Sequence, residues 1–280
     1  VSKAAAAADG FDGNAENYEQ KDVTSNFTFT SAPDDFYQAE VKDASGNVVD
    51  NPFTLSVKNS AATHTLKHGE TLYVYGLPAG ATYTVAEDLT ATPGFTSQVT
   101  NGAAEGTFAA GRTAAVEFTN TYEAASVDLD AGIIGVKKNF TDREWRGTDE
   151  FAFGIGPNNL PAFQNAKVTI TKDTPEYKAS FGKVTFDKPD TYTYYIWEYN
   201  PENAEAGIAD IPGVNYSGAQ YQVVIKVEDN GAGELAIAST TMTQTHNDAG
   251  QPLAEPVAVE GKVAAFTNTY SAQDTTARIG

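Results

Sequence analysis

The chain has no cysteine and a single methionine in 280 residues. Without cysteine there is no disulfide, no thiolate nucleophile and no Cys-based metal site. An exported protein of this composition needs some other staple. Basic residues are also scarce, with 18 Lys and Arg against 37 Asp and Glu and a formal charge of −19. A surface this acidic repels phosphate backbones and anionic headgroups, which excludes nucleic acid and membrane as main partners. No apolar run reaches the roughly 18 residues a membrane span requires. The run AAAAA at 4–8 is too short for a secretion signal and lacks its basic flank, so a mature fragment is expected.

Aromatic residues are plentiful, with 14 Tyr and 15 Phe in a composition that is 41% hydrophobic. Together with abundant Thr and Val they favour strands over helices. The stretches NFTFTS (26–31), AEVKD (39–43), FTLSVKN (53–59), TLYVYGL (71–77), TYTVAED (82–88) and TAAVEFTNTY (113–122) alternate apolar and polar residues. Gly- and Pro-containing turns separate them, the pattern of an all-β sandwich or barrel. A second series runs through IIGVKKNF (133–140), EFAFGIG (150–156), AKVTITK (166–172), GKVTFDK (182–188), TYTYYIWEYN (191–200), AQYQVVIKVED (219–229), GELAIASTTMTQ (233–244) and KVAAFTNTY (262–270). The sequence thus predicts an all-β protein of two tandem domains, each a sandwich or barrel, the immunoglobulin-like sandwich being the form that the family resemblance carried by the motifs below implies. The first covers 1–123, with a non-alternating insert over 4–26 able to hold a short helix. A small, acidic linker follows at 124–134, the second sandwich covers 135–272, and 273–280 is a polar tail.

FTNTY closes both series, at 118–122 and 266–270. Residues i, i+2 and i+4 of a strand share a face, so Phe118, Asn120 and Tyr122 point together, as do Phe266, Asn268 and Tyr270. The aromatics mark the inward face, and a buried amide needs a partner. By the same count Tyr83, Val85 and Glu87 share a face, as do Tyr192, Tyr194, Ile196 and Glu198. On the opening strands Val136, Lys138 and Phe140 alternate, and so do Val1 and Lys3. Each domain then offers an inward Lys, Glu and Asn. A buried ion pair hydrogen-bonded to an amide is the simpler account of each cluster. The same order in both domains favours chemistry, because buried charges are rare unless they serve something. Burial lowers a lysine pKa and raises a glutamate pKa, so the pair can become a neutral amine beside a neutral acid. The amine is a nucleophile, the Asn Cγ an electrophile with ammonia as leaving group, and the Glu a proton shuttle. The product is a Lys–Asn isopeptide bond between first and last strands.

The segments KNFTDREWRGTDEFAF (138–153), TYTYYIWE (191–198) and FTNTY (266–270) together resemble the streptococcal pilin isopeptide-linkage domain of Gram-positive major pilins. The resemblance implies a self-generated bond between Lys138 and Asn268 with Glu198 as its proton shuttle. The segments GETLYVYGLPAGATYTVAED (69–88) and AAVEFTNTY (114–122) look like the related collagen-adhesin B-type repeat, which implies Lys3, Glu87 and Asn120. The long insert after Lys3 departs from that pattern and leaves Lys21 as an alternative nucleophile. The implied protein is a structural subunit of a pilus shaft or stalk, stabilised mechanically and against proteolysis by its bonds. It would lie outside the cell, anchored to the wall of a Gram-positive bacterium. Its partners would be other pilin or surface-protein subunits, joined by a sortase, and a host ligand. The chain contains neither LPxTG nor YPK. It would be no enzyme beyond one autocatalytic turnover, and no cofactor is expected. An adhesin using the bonds only as scaffold, and a carbohydrate-binding module, are the alternative readings.

Other signals are weaker. His64 and His68 are spaced for a helical metal pair, but their flanks read as strand and turn, so no metal site is expected. DGFDGNAEN (9–17) lacks the spacing of a calcium loop. Trp145 and Trp197 read as packing residues, while Tyr195 and Trp197 share a face that could bind glycan if exposed.

Overall fold

Period-two alternation sorts each strand's side chains onto two faces, and the apolar faces close against one another. In the computed structural model, residues 1–11, 23–30, 32–201 and 210–272 are described. They fall into two compact units, Val1–Ala125 with Asp229–Glu234, and Ser126–Glu228 with Leu235–Gly280.

The first unit contains β1 (Ser2–Ala7), β2 (Val23–Thr30), β3 (Asp35–Lys42), β4 (Val48–Val57), β5 (Ala61–Leu66), β6 (Thr71–Val74), β7 (Thr82–Asp88), β8 (Phe95–Gly102), β9 (Glu105–Thr107) and β10 (Val116–Tyr122). One sheet has the order β4-β3-β6-β1-β10-β8, the other β5-β2-β7-β9. Phe27, Phe29 and Val85 of the smaller sheet pack with Val41, Leu72 and Phe118 of the larger to form the core.

The second unit contains β11 (Val127–Leu129), β12 (Gly135–Phe140), β13 (Glu150–Gly156), β14 (Lys167–Thr171), β15 (Lys178–Ser180), β16 (Val184–Phe186), β17 (Asp190–Glu198), β18 (Val214–Asn215), β19 (Gln220–Asp229), β20 (Leu235–His246), β21 (Pro252–Ala258) and β22 (Val263–Tyr270). Its sheets run β14-β13-β17-β19-β20-β21 and β15-β12-β22-β18, with the pair β11-β16 beside them. Phe153 and Tyr221 of the first sheet pack against Phe266 of the second, at ring separations of 5.0 and 5.2 Å. Both units are β-sandwiches.

In both, the opening strand lies parallel to the closing strand. β1 pairs with β10 so that Lys3 faces Phe118 and Ala5 faces Asn120. β12 pairs with β22 so that Lys138 faces Phe266 and Phe140 faces Asn268. Each Asn therefore sits opposite the residue two beyond the Lys, a distance that a long lysine side chain on the same face spans.

Two expectations change. The alanines 4–7 do not open an insert but continue β1, pairing in parallel with Thr119–Tyr122 of β10. At the other end of the expected insert, residues 23–26 already belong to β2, and residues 12–22 lie outside the described residues. Within 124–134, Val127–Leu129 forms a strand on Val184–Phe186, with Leu129 buried and Asp128 accepting from Lys183 and Thr185 at the surface. That one apolar–acidic–apolar triplet suffices for a short ladder.

Candidate functional site: buried Lys–Glu–Asn clusters

In the second unit, alternation along β12 carries Lys138 inward behind Val136, and its side chain is fully buried. Glu198 ends the inward face of β17 and is 3% exposed, while Asn268 on β22 is 0% exposed. The Lys138 Nζ donates to Glu198 Oε1 at 2.7 Å and Oε2 at 2.9 Å. Asn268 Nδ2 donates to the same Oε1 at 2.8 Å. The rings of Phe151 and Phe153 stand 4.8 and 5.8 Å from the ammonium, so the site is dry and aromatic. The backbone N–H of Ser217 donates to Asn268 Oδ1 at 2.7 Å and to Glu198 Oε2 at 3.2 Å. An N–H can face only the amide oxygen, so this bond fixes which way Asn268 points.

Burial pushes the Lys138 ammonium down to about 8, opposed by the attraction of Glu198. Burial pushes the Glu198 carboxyl up, opposed by Lys138, by Asn268 and by the Ser217 N–H. Both shifts favour the neutral amine and neutral acid over the ion pair, and the two groups titrate as one system.

In the first unit Lys3 is 2% exposed and Asn120 0% exposed. Tyr83 and Val85 of β7 are buried as expected, and Glu87 at its end is half-buried. Asn120 Nδ2 donates to Glu87 Oε1 at 3.3 Å, and Ser97 Oγ donates to Glu87 Oε2 at 2.5 Å. Asn120 Oδ1 is buried with no hydrogen-bond partner among the described residues. Lys21 lies outside the described residues.

Most of the remaining candidates pack or hydrogen-bond within the fold. His64 stacks on Phe53 at 5.0 Å, and its imidazole pKa is lowered by burial. His68 Nδ1 accepts the Ala5 N–H at 2.8 Å. Trp197 lies over Gly154, where a Cβ would come within 2.6 Å of the indole, and meets Tyr199 edge-on at 5.8 Å. Trp145 stacks on Tyr177 at 4.7 Å, and Tyr195 is exposed. The candidate calcium stretch 9–17 lies mostly outside the described residues, and its Phe11 packs edge-on against Tyr122 at 6.1 Å. Among the described residues no group of three acidic or His side chains could hold a metal, and no helix is long and apolar enough to cross a membrane.

Sequence reading missed Ser217, Asp248 and Ser97. Ser217 lies in the loop between β18 and β19, where Ser-Gly marks only a turn. Asp248 lies in the turn between β20 and β21. Ser97 faces Asn120 from β8, a strand buried only at Phe95 and so without visible alternation.

Both sandwiches thus lay their opening strand beside their closing strand, with a Lys and an Asn buried in each. Residues 134–271 match the FctA family model, described as a Spy0128-like isopeptide containing domain. The match spans the second sandwich, which is therefore similar to that family of isopeptide-containing domains. Residues 11–122 match the model of a domain of unknown function, DUF7601. No curated protein matches the chain. Solved structures similar to it include the pilus-presented adhesin Spy0125 (Cpa), at 22% identity and a TM-score of 0.29, over 43% of this chain and 26% of that one. The chain thus spans about a quarter of that relative. The major pilin from Streptococcus pyogenes aligns over 96% of this chain and 97% of its own at 13% identity, with a TM-score of 0.24. The pilus adhesin SpaC from Lactobacillus rhamnosus GG aligns over 89% of this chain and 29% of its own at 14% identity, with a TM-score of 0.22.

Proposed function

We propose that the protein is a shaft or stalk subunit of a Gram-positive surface pilus, and that each sandwich is locked by an intramolecular bond, Lys138–Asn268 in the second and Lys3–Asn120 in the first. The observation that carries this reading is the sharing of one buried oxygen. Glu198 Oε1 accepts from both the amine that would attack and the amide nitrogen that would leave. A proton moves from Lys138 Nζ to Glu198, and the neutral amine attacks Asn268 Cγ. The Cγ–Nζ bond forms, Glu198 passes its proton to Nδ2 and takes the second proton from Nζ, the Cγ–Nδ2 bond breaks and ammonia departs. Folding supplies the proximity that makes an ordinary amide reactive. Other pilin or surface-protein subunits are the partners, joined by a sortase at the wall.

The test is the intact mass of the denatured chain with peptide mapping of the joined strands. A chain lighter by one ammonia per sandwich, mapped to these pairs, is the expected result. The full calculated mass would overturn the reading.

A further inference from the structure

We propose that the backbone N–H of Ser217 is the oxyanion donor for bond formation in the second sandwich, and that Asp248 is the positioning residue that holds it there. This rests on the cross-link proposed above. When an amine adds to Asn268 Cγ, the carbonyl electron pair moves onto Oδ1. A donor already aimed at that oxygen stabilises the charge as it develops, most strongly where water is excluded. The Ser217 N–H is aimed there at 2.7 Å, and Ser217 and Asn268 are both buried. Glu198 faces Nζ and Nδ2 through Oε1, and its Oε2 takes only the longer, 3.2 Å arm of the Ser217 N–H. Polarising the carbonyl and shuttling the proton are therefore assigned to different groups.

The donor is not on a strand, so something must hold it. Ser217 Oγ donates to Asp248 Oδ1 at 2.5 Å and accepts the Ala219 N–H at 3.1 Å. The Gly218 N–H donates to the Asp248 carbonyl at 2.8 Å. Gly218 approaches the facing turn so closely that a Cβ would stand 2.6 Å from Gly250 Cα. Asp248 Oδ1 also accepts the N–H of Thr267, the residue before Asn268, at 2.9 Å. One carboxylate oxygen thus ties the donor loop to the strand that carries the electrophile.

The step balances without any further reactant. The oxyanion forms on Oδ1 against the Ser217 N–H, then collapses to the new amide carbonyl as ammonia leaves with the proton from Glu198, which takes the surplus proton of Nζ in its place. The amide enters with one carbonyl oxygen and keeps it.

The test uses full-length chain that has stayed unfolded and uncross-linked since synthesis. Refolding by dilution starts the clock, and mapping of the 138–268 linkage follows it. Exchanging the Ser217 amide for an ester, with the α-hydroxy analogue of serine, removes the N–H alone. The rate is expected to fall about 100- to 1,000-fold, the usual cost of one oxyanion donor. Asp248→Ala should slow the reaction, and Asp248→Asn, which keeps the Oδ1 acceptor, should restore most of it. Melting temperatures compared in a Lys138→Met background, where no bond can form, report folding separately. Cross-linking of the ester variant at the parent rate would overturn this inference and leave the cross-link intact. A parent chain that never joins residues 138 and 268 would overturn the cross-link itself.

Discussion

The two sandwiches share one register at their closing strands and surround it differently. In each, the Asn lies opposite the residue two beyond the Lys. In the second, the carboxylate is buried, contacts the amine through both oxygens and leaves the amide oxygen to a backbone donor. In the first, the carboxylate is half-buried and shares itself with Ser97, and its contact to the amide is longer. The difference teaches that strand pairing alone sets who meets whom, while the flanking loop and burial set how well poised they are.

The largest expected effect comes from removing the closing bond. Asn268→Ala restores the missing ammonia in the mass and opens a loop of about 130 residues, worth about 5 kcal/mol if an isopeptide tie acts by chain entropy as a disulfide does. A lower melting temperature in calorimetry checks this. Next comes the proton shuttle. Glu198→Gln keeps an acceptor oxygen but carries no transferable proton, so the 138–268 linkage is expected to be absent after days of incubation. Glu87→Gln is expected to slow the 3–120 linkage without abolishing it, because water reaches the half-buried site. Equal failure of both variants, read by peptide mapping, would erase the distinction.

The pH dependence sharpens the comparison further. The productive state of the Lys138–Glu198 pair holds one proton, enough for a neutral amine beside a neutral acid. Below the raised Glu198 pKa the pair gains a second proton and the amine is lost as ammonium. Above about 8, the value to which burial lowers Lys138, the last proton leaves and no acid remains to protonate the departing nitrogen. Refolding rates at the second site should therefore trace a bell with its alkaline limb near pH 8. A rate still rising at pH 10 would show that the amine alone limits the reaction. The smallest effect is that of Ser97→Ala, which removes one hydrogen bond to a half-buried carboxylate and should cost about 1 kcal/mol in chemical denaturation.

Much of this was legible in the sequence because burial writes a period of two. Phe118, Asn120 and Tyr122 all point inward on β10, and Tyr192, Tyr194, Ile196 and Glu198 do so on β17. The strands that escaped notice, β5, β8, β9, β15, β18 and β21, end their sheets, and β11 belongs to a two-stranded pair. An edge strand bonds to one neighbour and buries little, as Phe95–Gly102 and Pro252–Ala258 do, so its alternation fades. Ser217 was illegible for another reason. Its contribution is a backbone N–H, which every residue but proline has, and only the tertiary approach of two loops gives it a task.

The parallel pairing of β12 with β22 also fixes a schedule. β12 can meet β22 only once the whole of 138–268 has been synthesised, so the reacting groups cannot meet earlier. Until then the polypeptide is an ordinary linear thread. Once the strands close, the proposed reaction would turn that thread into a ring. A joined Lys138 and Asn268 would thus be a permanent record, stamped into the chain, that the domain had finished folding.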